Sequence, residues 1–142
     1  MSVVMWGCSH KPAPGESIAE VCVVANHRKT VTVSGYVVPP MITLGCENSC
    51  SVYISAESGV TSGVWATFAV GEGKSQMRGI KPIKDGFAGE VRRLSARDYR
   101  ILGDNGRVAN AGDVVRVTGE LWFTGGTGAT DCSLRVKSVE VP

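Results

Sequence analysis

The chain has 142 residues, 43% of them hydrophobic and 20% charged, and a formal net charge of +2. That length suits one domain with a single core and is too short for two. The composition is that of an ordinary globular protein, and no run approaches the ~18 apolar residues that a membrane-crossing helix needs. The charge is unevenly spread: nine basic residues against four acidic ones fall between Lys74 and Arg107, a local excess of +5, and the rest of the chain sums to −3.

Residues 1–17 read as a leader. Met1 to Gly7 is apolar, Cys8 follows, and Ser9-His10-Lys11-Pro12-Ala13-Pro14-Gly15 is a polar linker rich in proline and glycine. Cys8 is therefore a lipidation candidate, in the position that the acylated cysteine of an exported lipoprotein takes after its signal. Residues 18–142 form the domain. Residues 18–24 predict a short helix or turn, and the strands follow.

The first strand is expected over 30–38, where Val31, Val33, Gly35 and Val37 share one face and Thr30, Thr32, Ser34 and Tyr36 the other. Pro39-Pro40 ends it, because proline cannot continue a ladder. The second strand spans 50–56, with Val52 and Ile54 inward and Tyr53 outward. The third spans 63–70, with Ala66, Phe68 and Val70 inward and Trp65 and Thr67 outward. A long connection, 71–96, carries five glycines and is the expected place for an insertion or a helical turn. Residues 99–102 suit an extra strand before Gly103-Asp104-Asn105-Gly106, whose Asn-Gly pair is a strong turn signal. The fourth strand covers 113–123, burying Val115, Val117, Leu121 and Phe123 and leaving Arg116 and Trp122 outside. After a glycine-rich link at 125–128, the fifth covers 132–141.

The phrase Gly112-Asp113-Val114-Val115-Arg116-Val117-Thr118-Gly119, in a chain of five such strands with its longest connection between the third and fourth, resembles the oligonucleotide/oligosaccharide-binding (OB) fold. With its cysteines, the chain is similar to small exported bacterial OB-fold lipoproteins. The fold class expected is all-β: a five-stranded Greek-key OB-type barrel with a short N-terminal helix or turn. The resemblance implies a ligand across strands two and three, rimmed by the loops after strands one and four. On this chain the binding residues would be Tyr36, Tyr53, Trp65 and Thr67 on the outer face, with Arg92, Arg93 and Arg116 as cations. A structural role competes with this one, since Ile18, Val21 and Val23 could cover the aromatics as a satellite core.

Cys22, Cys46, Cys50 and Cys132 are disulfide candidates. Cys22 is expected to pair with one of the other three in an oxidising, extracytoplasmic compartment, and the short Cys46 to Cys50 loop could close on itself or bridge elsewhere. Zinc would want two C-x2-C pairs or a partnered histidine, and the sequence has neither, so no metal or other cofactor is expected. Gly73-Lys74-Ser75 ends like a phosphate-binding P-loop, but Phe68 occupies the first glycine position of that motif and no βαβ unit surrounds it. Catalysis is not indicated, because Asp104, Asp113 and Asp131 sit at turns and strand starts, where aspartate has a local hydrogen-bonding role. Two partner classes follow. The first is a protein or glycan held on the outer face of strands one to three by an exported, lipid-anchored module. The second is a single-stranded nucleic acid stacked on Tyr36, Tyr53 and Trp65 and neutralised by the basic segment.

Overall fold

A computed structural model describes residues 17–41, 45–81, 94–125 and 132–142. Five strands close a barrel: β1 (Thr30–Val38), β2 (Ser49–Ser55), β3 (Val64–Ala69), β7 (Val114–Phe123) and β8 (Cys132–Glu140). The order around it is β1-β2-β3-β8-β7, with β7 returning to β1. Every pairing is antiparallel except β3 with β8. This is the expected all-β class, and the closed arrangement is compatible with an OB-like fold. The alternation read from the sequence is the physical basis of the core, since period-two side chains put every second residue inside. Val33, Val37, Val52, Ile54, Ala66, Phe68, Val115, Val117, Leu121 and Leu134 have no exposed surface. Val70 and Phe123, expected inward, are only partly buried and pack at the margin of this cluster.

Two mid-strand glycines let the barrel close. A Cβ on Gly35 would lie 2.6 Å from the Ser55 carbonyl oxygen, and one on Gly119 would overlap the Arg135 carbonyl. The β7–β8 register shifts between Thr118 and Gly119, the local bend that a bulge supplies.

Both ends of the barrel are covered. At one end sits the four-residue helix α1 (Ile18–Val21), started by a reciprocal capping box between Ser17 and Glu20, with Val21 fully buried in the core. A 3-10 turn (Val24–Asn26) follows, and the chain then joins β7: the Arg28 amide donates to the Leu121 carbonyl and the Leu121 amide to the Lys29 carbonyl. The Cys22–Cys132 disulfide, with Cα atoms 5.8 Å apart, ties this segment to the start of β8. The other end is closed by a second sheet of β4 (Gln76–Met77), β5 (Ile101–Leu102) and β6 (Val108–Ala109), in that order, of which only β4 comes from the long connection. Met77, Ile101 and Ala109 carry the core into it. The Asn-Gly turn joins β5 to β6, with the Gly103 amide donating to the Arg107 carbonyl. No helix among the described residues is long and apolar enough to cross a membrane.

Candidate ligand-binding face

Residues 51, 53, 65 and 67 alternate with core positions, so their side chains emerge together on the outside of the β2–β3 pair. Tyr53 lies directly opposite Trp65 in the register, and the two rings meet edge-on with centroids 4.8 Å apart. One step along, Ser51 faces Thr67 and their hydroxyls share a hydrogen bond of 2.9 Å. Tyr53, Trp65 and Thr67 thus lie on the outer side of these strands, where the alternation put them.

A groove of about 300 Å³ opens beside it. Trp65, Ser49 and Ser51 form one wall, and Pro40 and Gly45 contribute from the β1–β2 connection. Its rim is the second disulfide, Cys46–Cys50, with Cα atoms 5.3 Å apart. The small loop thus closes on itself. It is also anchored from below, because Cys46 and Ile80 exchange backbone hydrogen bonds of 2.8 and 2.9 Å. No charged side chain lines the groove among the described residues.

The other expected binding residues are distributed differently. Tyr36 is half-buried and registers with Ser55 and Val114, two positions away from the row of Tyr53, and no ring contact of Tyr36 occurs among the described residues. Arg116 faces a separate groove of about 260 Å³ between β7 and β8, lined also by Asp104, Thr118 and Ser138. There its guanidinium pairs with Glu140 at 3.1 Å. Arg92, Arg93 and Cys8 lie outside the described residues, as does the leader up to residue 16. Two cations of the basic segment, Arg78 and Arg100, pair with Glu72, which lies just before it.

The covering segment proposed from the sequence goes elsewhere. Val21 enters the barrel core, the α1 helix packs on β1, and the following turn packs on β7, leaving Tyr53 and Trp65 in contact with each other. The P-loop-like stretch is a turn whose polar groups are already committed. The Gly71 amide donates to the Met77 carbonyl, the Gly73 amide to Gln76 Oε1, and Ser75 Oγ to Asp104. Among the described residues no group of three His, Cys, Asp or Glu side chains is placed to hold a metal ion.

A second cluster, which composition did not reveal, lies farther around the same face. Trp65 registers with Ser133 on β8, and Ser133 with Trp122 on β7, so Tyr53, Trp65 and Trp122 occupy one circumferential row. The guanidinium carbons of Arg28 and Arg135 stand 5.0 and 4.9 Å from the Trp122 ring centroid. His27 meets the indole edge-on at 5.2 Å, and its Nδ1 accepts the Phe123 amide, which puts the ring proton on Nε2. Glu120 accepts from the Trp122 indole N–H at 2.8 Å. The sequence signal was present in His27-Arg28-Lys29 and Arg135-Val136-Lys137, but only the β1–β7–β8 pairing brings the two runs to one indole.

No family model, curated protein or solved structure matches the chain.

Proposed function

We propose that the protein is an exported, non-catalytic binding module that holds a glycan on the outer face of β2 and β3. The observation that carries this reading is the uncharged groove, lined by Trp65, Ser49 and Ser51, that opens beside the Tyr53–Trp65 contact and the Ser51–Thr67 hydroxyl pair. An aromatic face takes the apolar side of a sugar ring, while neighbouring hydroxyls take its polar rim. A nucleic-acid backbone would call for cations along this groove, and its described lining is neutral. A protein partner presenting a neutral polar loop fits the same chemistry less fully, because the groove is small for a standard protein interface. Export is supported by the two disulfides, which persist in oxidising compartments. The resemblance to exported lipoproteins, with Cys8 as the acylated residue, belongs to this reading too.

The test is a titration of neutral oligosaccharides and, separately, of a labelled single-stranded oligonucleotide. Saccharide binding that falls at least about tenfold in Trp65→Ala is the expected result, the order of loss on truncating an aromatic anchor. Oligonucleotide binding that survives near-physiological salt, with a salt slope of several displaced counterions, would replace the glycan reading with the nucleic-acid one.

A further inference from the structure

Few large apolar side chains are exposed among the described residues, and two of them are consecutive: Val24, 69% exposed, and Val23, 39% exposed. They sit on the turn at the α1 end of the barrel, and that turn is held from every side. The Cys22–Cys132 disulfide precedes it, Asn26 Nδ2 donates to the Val21 carbonyl at 2.9 Å, and backbone bonds to Leu121 follow it. A pinned turn cannot withdraw its valines into the core, so their exposure is built into the fold.

The surroundings are basic. Arg28 and Lys29 follow the turn directly, and Arg135 and Lys137 project from β8, where the Lys137 ammonium reaches Thr30 Oγ1 of β1 at 3.5 Å. Arg28 has no ion pair among the described residues, and Arg135 reaches Glu120 only at 4.0 Å. Among the described residues, Glu120 is committed to Trp122 and Glu20 to the Ser17 cap. Trp122 holds two like-charged guanidiniums at one place. This arrangement joins an apolar tip, an indole and a surplus of cations, the combination found where proteins meet an anionic bilayer: apolar groups enter the headgroup boundary while Lys and Arg face the phosphates.

We propose that this end of the barrel is a docking surface for an anionic phospholipid membrane, with Val23 and Val24 inserting and Arg28, Lys29, Arg135 and Lys137 contacting headgroup phosphates. The charge complementarity and the apolar tip select a bilayer over a soluble polyanion, which would use the cations and have no use for the valines. The assignment does not depend on the β2–β3 groove.

The test is co-sedimentation of the full-length, oxidised, unacylated chain with phosphatidylglycerol–phosphatidylcholine vesicles and with pure phosphatidylcholine vesicles. Binding is expected to the anionic vesicles and not to the neutral ones. Each basic residue neutralised should weaken it by roughly fivefold, so Arg28→Gln/Arg135→Gln should lose about 25-fold on the same footing. Val24→Asp, at an exposed position that leaves the fold intact by circular dichroism, should weaken binding at least as much as one lost cation. Absence of anionic-vesicle binding, or binding indifferent to either variant, overturns the proposal. So does soluble polyphosphate bound as tightly as the vesicles and unaffected by Val24→Asp, which would identify a free phosphate polymer as the ligand.

Discussion

At Gly119 the opposing strand comes so close that even one methyl group has nowhere to go, since its Cβ would overlap the Arg135 backbone carbonyl. Backbone cannot rotate away as a side-chain tip can, so relief must come from moving β8 against β7. Gly119→Ala should therefore destabilise the protein by about 1–3 kcal/mol, the usual range for overpacking, seen as a lower denaturant midpoint at unchanged m. Gly35→Ala belongs to the same class, meeting the Ser55 carbonyl, whereas an exposed β-strand position such as Thr30 should accept alanine nearly silently. These two glycines were legible in the sequence, because a glycine inside an alternating run marks a bend or a close approach. The Trp122 cluster was not. Arg28 reaches that indole only because its amide pairs with Leu121, a contact between chain segments that share no local pattern.

The α1 helix is four residues long, far too short to persist alone. Three things outside its own backbone hold it: the Ser17–Glu20 capping box, the burial of Val21, and the disulfide at the next residue. They differ in weight. Ser17→Ala removes an exposed cap and should cost about 1 kcal/mol. Val21→Ala leaves a void at the sealed end of the barrel and should cost about 2 kcal/mol, the lower part of the range for large-to-small core changes. Thermal unfolding of the two variants checks this order, and an equal effect would mean that Val21 does not plug the barrel. At this scale the sequence read well where period-two alternation ran for six residues or more, and the barrel strands begin and end within a residue or two of expectation. It read poorly for β4 and β6, which have two residues each and show no period. Their partner β5 was anticipated through the Asn-Gly turn, a chemical signal rather than a periodic one.

Across the whole molecule the two disulfides do different work. Cys46–Cys50 spans a sequence separation of 4, and Cys22–Cys132 spans 110. In the chain-entropy description a cross-link stabilises by restricting the unfolded chain, and the restriction grows with the logarithm of the loop. The long loop is then worth about 5 kcal/mol and the short one about 2 kcal/mol. The sequence could not choose among the pairings, since four cysteines allow three and the choice is made by the parallel β3–β8 contact and by the α1 end folding beneath β8. Once made, the choice predicts a separation of roles. Cys22→Ser/Cys132→Ser should lower global stability by about 2–5 kcal/mol and free the turn that carries Val23 and Val24, while leaving the β2–β3 groove in place. Cys46→Ser/Cys50→Ser should lower it less and instead loosen the groove rim, so that ligand affinity falls more than unfolding free energy does. Denaturant titration of both double variants alongside saccharide binding separates the two effects. Equal losses of stability would mean that loop entropy is not what these cross-links supply, and that native packing around Cys50, buried where β2 meets the second sheet, carries the difference.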